Sequence, residues 1–225
     1  MSEARAAREP LLWLQLLGLS LLPLEALLLL LVLAGSDPGP VPGLERLLCW
    51  AIGALAPTLL LWRRPADIWS LLLVQTPARG RRELQQRLSA LQEHPILRVG
   101  LGVGAALLLG LLWILDGAAA LATSQTPLAD APRLVALLLS AVLLALMLWQ
   151  WQQALQALWL LSRSAATIAA TPPLSPSELA ERRLSPGLPL LLPEPLTSGL
   201  GLAVAVEPEQ GAKEKQGAEL DPPVA

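Results

Sequence analysis

The chain has 225 residues, of which 54% are hydrophobic and only 15% are charged, with a net charge of −2. Soluble domains carry about 25% charged residues, so this composition favours a membrane protein, and the absence of a basic excess argues against a nucleic-acid-binding protein. The single cysteine, Cys49, and the single histidine, His94, exclude an intrachain disulfide and argue against zinc, haem and di-iron centres.

The first apolar run, residues 11–34, is 24 residues long and contains Glu25 as its one ionisable residue. One membrane crossing needs about 20 apolar residues, so the run predicts a transmembrane helix. Pro23 cannot donate to the carbonyl of Leu19, which predicts a kink with a freed backbone acceptor. A carboxyl group deep in lipid is expected to be protonated and functional or structural. We therefore predict an intramembrane polar site at Glu25 and Pro23, with Ser140 as a further partner; a proton site is the alternative.

A cleaved signal peptide is a second interpretation of the same run. Arg5 and Arg8 resemble the positively charged start of such a peptide, and "VLA" before Gly35 resembles a cleavage site. The apolar part of a signal peptide is 7–15 residues long, however, and this run is longer. We expect the run to remain as a membrane span.

Three further spans are predicted at 44–62, 99–115 and 134–155, the last continuing as a helix to about residue 161. The short connection 35–43 contains three glycines and three prolines, so the first two spans should form a tight antiparallel hairpin. The predicted fold is an all-α integral membrane protein. Its four transmembrane helices form two antiparallel hairpins. The predicted regions are a cytoplasmic N-terminus (1–10), a four-helix domain (11–161) with a cytoplasmic connector (63–98), and a cytoplasmic tail (162–225).

The distribution of Lys and Arg predicts the orientation of these spans. The two termini and the connector together carry 14 of these residues, and the two connections on the opposite side carry two. Loops rich in Lys and Arg stay on the cytoplasmic side, so both termini are predicted to be cytoplasmic. Trp13, Trp62, Trp113 and Trp149 lie near the ends of spans, where interfacial tryptophans are enriched.

Small residues recur at four-residue spacing in the third span, "GLGVGAALLLG". They are Gly100, Gly102, Gly104, Ala106 and Gly110. A phosphate-binding loop would follow a strand, and these glycines instead lie inside an apolar run. Small residues at this spacing let helices approach closely in lipid, so we predict packing against another span or in a homodimer.

The connector 63–98 divides into two parts. Residues 63–77 are predicted to form a helix at the membrane interface, and residues 78–95 an amphipathic helix with Leu84, Leu88 and Leu91 on one face. The second helix either docks a partner or folds over its own bundle. The basic residues expected near lipid phosphates are Arg63, Arg64, Arg79, Arg81 and Arg82.

Four glutamines follow Trp149 in the fourth span: Gln150, Gln152, Gln153 and Gln156. They predict the point where the helix leaves the membrane, with a bound headgroup or ligand as the alternative. The following tail, 162–225, holds ten of the 21 prolines, eight acidic and five basic residues, and is predicted to be disordered and of low complexity. A short helix over 177–183, capped by Ser177, is expected within it.

The stretches "EPLLWLQLLGLSLLPLE", "GSDPGPVPG" and "WRRPADIWSLLLVQTP", followed by a proline-rich tail, resemble the cyanobacterial family of low-complexity tail membrane proteins. The resemblance covers roughly residues 9–196 and implies a bacterial inner (plasma) or thylakoid membrane. The family has no assigned activity, so the resemblance assigns no role to any residue.

The sequence contains no nucleophile–base set, metal-ligand cluster or cofactor motif, so we predict no enzyme activity, no catalytic or metal-binding residues and no cofactor. The first hypothesis is a non-catalytic assembly, scaffold or organising factor in the lipid bilayer, with a membrane-protein partner or a homodimer and no nucleic acid or small-molecule substrate. The alternative is a small transporter or proton-coupled protein that uses Glu25.

Overall fold

The computed structural model describes residues 6–72, 74–77 and 81–189. Four helices in this part of the chain are long and apolar enough to cross a membrane: α1 (Pro10–Leu33), α2 (Pro42–Arg63), α4 (Pro95–Gln125) and α5 (Arg133–Leu161). The short helices are α3 (Glu83–Ala90), α6 (Ala165–Ala170) and α7 (Pro176–Arg182). Two-residue strands β1 (Val74–Gln75) and β2 (Leu188–Pro189) pair in parallel. The two further short turns of 3₁₀ helix are Ala6–Arg8 and Leu91–Glu93.

Proline sets the start of each long helix. Pro10, Pro42 and Pro95 occupy the first helical positions, and Pro132 immediately precedes α5. The N–H groups in the first turn of a helix have no acceptor within the helix, so proline, which lacks an N–H group, is tolerated there. The third span is longer than the predicted 99–115, because α4 begins at Pro95 and finishes with a 3₁₀ stretch, Ala119–Gln125.

Proline also perturbs α1 and α2 internally. In α1 the turn before Pro23 tightens to a 3₁₀ helix over Gly18–Leu21, and the N–H of Leu22 donates to the carbonyl of Leu19. The freed acceptor predicted at Leu19 is therefore satisfied by this tighter turn. In α2 the turn before Pro57 widens instead to a π-helix over Ala51–Leu55.

Helices α4 and α5 form the centre of the bundle. Both α1 and α2 pack against α4 and α5 rather than extensively against each other. This differs from the predicted tight hairpin of the first two spans. Two contacts hold α2 against α4 and α5. Trp50 of α2 donates its indole N–H to the carbonyl of Ala105 on α4 at 2.8 Å, and Gly53 of α2 lies directly against Ala141 on α5.

The chain segments at one end of the bundle fold together into what we call the cap: residues 6–9, 64–72, 74–77, 81–94 and 162–189. The described residues of 63–77 do not form the predicted interfacial helix, since the first of them belongs to α2 and the others form turns and extended chain. The amide of Asp67 donates to the carbonyl of Leu184 at 2.9 Å, and the amide of Leu184 donates to the carbonyl of Pro65 at 3.0 Å. These long-range bonds replace the local bonds of a helix.

The folded part of the chain extends beyond the predicted boundary at residue 161. Ile168 of α6 and Leu179 of α7 are buried in the cap, so residues 165–189 are part of the folded body and not of a disordered tail. Helix α7 is capped by Ser175 rather than Ser177, because Ser175 and Glu178 form a reciprocal capping box. The remainder of the predicted low-complexity tail, 190–225, lies outside the described residues.

Candidate functional site

The intramembrane carboxyl group has a different partner from the one expected. Gln150 of α5 donates its side-chain N–H to Oε1 of Glu25 at 2.6 Å. Ser140, the predicted partner, lies ten residues before Gln150 on α5, about 15 Å along the helix. Its buried hydroxyl has no hydrogen-bond partner among the described residues. Gln150 was predicted to mark the point where the helix leaves the membrane. Its contact with Glu25 depends on the register of α1 against α5, which the sequence does not specify.

Pro23 lines an apolar groove of about 550 Å³ between α1, α4 and α5. The groove lies beside the 3₁₀ turn of α1, and its walls include Leu22 and Ala26 on that helix and Trp151 on α5. It therefore offers lipid-like apolar contacts and no polar chemistry.

A charge-balanced network of ion pairs lies at the end of the bundle opposite the cap. Arg133 contacts Glu45 at 3.0 Å and Asp116 at 2.9 Å, and Arg46 contacts the other oxygen of Asp116 at 2.6 Å. Two arginines and two carboxylates balance in charge, and they tie together the ends of α2, α4 and α5. The balance of charge and the mutual pairing indicate a structural role.

Three glutamines hold the connector against the bundle; we call them the glutamine clamp. Gln153 donates to the carbonyls of Asp67 at 3.1 Å and Ser70 at 3.2 Å, and Gln156 donates to the carbonyl of Ala66 at 2.9 Å. Gln15 of α1 donates to the carbonyl of Ile68 at 2.9 Å. All three side chains are buried. Two of the four glutamines predicted to mark the exit of the helix, Gln153 and Gln156, thus satisfy the backbone of a buried loop.

The five predicted packing residues of the third span divide between two faces. Gly100 and Gly104 lie against Leu155 and Trp151 of α5, and the indole N–H of Trp151 donates to the carbonyl of Gly100 at 2.9 Å. Gly102 and Gly110 have no atom within 4 Å of the position where a Cβ would stand. Ala106 is also exposed. Gly53 of α2 lies against the backbone of Ala141 of α5, a close helix contact that the sequence did not predict.

The five predicted interfacial arginines also divide. Arg63 and Arg64 are exposed, and Arg82 is largely exposed while it contacts the buried carboxylate of Glu9 at 3.0 Å. Arg81, in contrast, is buried in an ion pair with Asp67, so it does not lie on an exposed surface that faces the lipid phosphates. Arg79 lies outside the described residues.

A polar pocket of about 450 Å³ lies in the cap. Asp67, Gln75 and Arg81 line it from the connector, and Arg183 and Ser185 line it from the C-terminal segment. The hydroxyl of Ser185 donates to Oδ2 of Asp67 at 3.0 Å. Burial lowers the pKa of the Arg183 guanidinium, an effect that the charges of Glu93 and Asp67 oppose. Nothing in the sequence predicts this pocket, because half of the residues that line it fall in the predicted tail.

No cluster of His, Cys, Asp and Glu suited to a metal ion occurs in residues 6–72, 74–77 and 81–189. The fold and these sites define a polytopic helical membrane protein with a folded polar cap. The chain belongs to the low-complexity tail membrane protein-like family, whose model matches residues 8–195. This confirms the resemblance in its main part. Neither the curated proteins nor the solved structures yield a match to the chain.

Proposed function

We propose that the protein is a non-catalytic scaffold or assembly factor that presents its C-terminal tail from the cap to a membrane-protein partner. The observation that carries the proposal is the anchoring of the segment that precedes the tail. Strand β2 pairs with β1 through Leu188 and Pro189, and Ser70 donates its hydroxyl to the carbonyl of Pro186. The tail therefore begins at a fixed position on a folded surface.

The composition of the tail supports this proposal. Residues 190–225 contain six acidic and two basic residues, five prolines and no aromatic residue. This composition is typical of segments that bind partners by ordering on contact. A fixed starting point raises the effective concentration of the tail near a partner held in the same bilayer.

The experiment compares three forms of the protein in the membranes of the source organism. They are the full chain, a chain that ends at Pro189, and a chain whose residues 190–225 are scrambled at constant composition. We expect crosslinking followed by purification to recover a defined protein with the full chain alone. Recovery of the same proteins with all three forms, or of none above background, would contradict the scaffold role.

The proposal includes an orientation in which both termini and the cap face the cytoplasm, in a bacterial plasma or thylakoid membrane. Its support is the excess of Lys and Arg on the cap side. In a Cys49→Ala background, Ser162→Cys in the cap should be protected from an impermeant thiol reagent in intact cells, while Asp37→Cys should react. The reverse pattern would invert the orientation.

A second candidate, a proton-coupled carrier, is favoured by the Glu25–Gln150 hydrogen bond within the apolar helices. Ionisable residues inside a membrane span mark ion or proton pathways in many transporters. If this candidate is right, Glu25→Gln abolishes proton flux in proteoliposomes while the protein stays folded. Equal flux for the wild type and Glu25→Gln would eliminate it.

A further inference from the structure

Two arginines of the cap have more buried N–H groups than acceptors. Arg81 donates through one terminal nitrogen to Asp67 and to the carbonyl of Thr76, and Arg183 donates through one terminal nitrogen to the carbonyl of Ser89 at 2.7 Å and to Glu93 at 3.3 Å. In both side chains the Nε and Nη1 atoms are buried without a hydrogen-bond partner among the described residues. Burial of an N–H group of a charged side chain without an acceptor costs free energy, so a ligand that supplies an acceptor would stabilise the folded protein.

Both arginines line the cap pocket of about 450 Å³. Among the residues that line it, Asp67 is the one acidic side chain, and Ser185 already donates its hydroxyl to that carboxylate. Glu93, which contacts Arg183 from outside the pocket, has a side chain that is 42% exposed. The pocket wall therefore carries an excess of positive charge that the described residues do not neutralise from within.

The guanidinium group presents N–H donors in a planar fork that matches phosphate and carboxylate oxygens. Two such groups around a small cavity favour a tetrahedral oxyanion over a flat carboxylate, because a phosphate group can accept hydrogen bonds from several directions. The unpartnered N–H groups are buried, so they do not face the open space of the pocket. The two arginine side chains would rotate when the ligand binds, and these N–H groups would then donate to it.

We propose that the cap pocket formed by Arg81, Arg183 and Ser185 binds a phosphate group, either as a free anion or as the headgroup of a lipid. The site joins the connector to the C-terminal segment, which are far apart in the sequence. Its occupation would therefore strengthen the attachment of α7 and β2 to the connector. This inference does not depend on the scaffold role proposed above.

The test uses the purified full chain in detergent with inorganic phosphate as the probe, and the full chain in nanodiscs with phosphatidic acid or phosphatidylcholine. We expect phosphate or phosphatidic acid to raise the thermal midpoint in a concentration-dependent way. Binding of inorganic phosphate assigns the site to a free anion. A response to phosphatidic acid alone assigns it to a headgroup. No response to either, or an equal response to phosphatidylcholine, would overturn the proposal.

The variants have a matched control in the neighbouring arginine. Arg183→Gln should abolish the response, while Arg182→Gln should retain it, since the Arg182 side chain is 51% exposed and does not line the pocket. If Arg183→Gln fails to fold, Ala180→Glu provides a second test on the pocket wall. Ala180 is exposed, and its replacement by glutamate supplies a competing carboxylate that should raise the basal midpoint and remove the phosphate response.

Two further outcomes would overturn the proposal. One is an unchanged phosphate response in folded Arg183→Gln or in Ala180→Glu. The other is a response that appears only when residues 190–225 are removed, since the tail of this chain would then be the natural occupant of the pocket.

Discussion

At the scale of single residues, polar side chains inside the bundle act by pairing across helices. Glu25 and Gln150 form one hydrogen bond of 2.6 Å between α1 and α5, and each keeps one buried oxygen without a partner among the described residues. Hydrogen bonds between membrane helices contribute about 0.6 to 2 kcal/mol. The pair is therefore expected to fix the register of α1 against α5 while adding a modest part of the stability.

A double-mutant cycle tests this pair. Glu25→Leu and Gln150→Leu should each lower the free energy of unfolding in lipid by about 1 kcal/mol, and the double variant should lose less than the sum, because both changes remove one interaction. Glu25→Gln should stay close to the wild type, since an amide oxygen still accepts the bond. Unfolding in bicelles provides the measurement. Strictly additive losses would show that the two side chains do not interact.

Gly53 is the second residue whose identity the packing requires. A Cβ at this position would lie 2.5 Å from the carbonyl oxygen of Ala141 and 2.7 Å from its Cα, and backbone atoms cannot move aside as a flexible side chain can. Gly53→Ala should therefore destabilise the protein by about 1–3 kcal/mol, despite the better helix propensity of alanine.

Gly102→Ala is the matched control for Gly53→Ala, because no atom lies within 4 Å of its Cβ position and the residue also belongs to a long helix. This control should be neutral or slightly stabilising in the same unfolding measurement. Similar effects of the two changes would contradict the close contact between α2 and α5.

At the scale of elements, the connector shows how a loop is buried without secondary structure of its own. The chain from Ala66 to Ser70 is buried, and its carbonyls accept hydrogen bonds from the glutamine clamp. The amide of Asp67 donates to the carbonyl of Leu184, and the amide of Ser70 donates to the carbonyl of Asp67. A buried loop needs such partners, because each unpaired backbone group costs about 1–3 kcal/mol. The clamp therefore replaces the internal bonds that the predicted helix would have supplied.

Loss of the clamp should release the connector selectively. Gln153→Met and Gln156→Met keep the size of the side chain and remove its donors, so each should cost about 1–3 kcal/mol. Hydrogen exchange should rise at residues 66–70 while α4 and α5 stay protected. Gln125→Met, at an exposed position at the end of α4, is the control and should change neither quantity. Uniform loss of protection along the chain would show that the clamp supports the whole bundle instead.

At the scale of the whole molecule, the protein has an apolar four-helix body and a cap assembled from three separate parts of the chain. A second apolar cluster, distinct from that of the bundle, includes Leu12, Trp69, Leu88, Leu160 and Ile168. It joins the first helix, the connector, the end of α5 and the C-terminal segment. The cap should therefore be stable only when the C-terminal segment is present.

Two truncations test the extent of the folded body. A chain ending at Pro189 should keep the thermal midpoint and the exchange protection of the connector. A chain ending at Leu161 removes Ile168, Leu179 and Arg183 from the cap, so the connector should exchange faster and become sensitive to protease. Equal exchange protection of the connector in the two truncated forms would show that the folded domain ends at residue 161.

The sequence by itself determined what depends on local composition. Apolar length predicted four spans, and the structure has four helices long and apolar enough to cross a membrane at these places. Proline sets where these helices begin, because its effect acts within one or two helical turns. The quoted stretches also carried enough information for the family to be recognised.

The tertiary structure alone decided which distant residues meet. Glu25 meets Gln150 instead of Ser140. Gln153 and Gln156 bind a loop instead of marking the membrane surface, and Arg81 is buried with Asp67 instead of lying exposed near lipid phosphates. A sequence gives the face and the approximate depth of a side chain, but the register between helices arises from the packing of all of them together. The folded C-terminal segment was missed for the same reason, since α6 and α7 are too short to be stable until the cap buries Ile168 and Leu179.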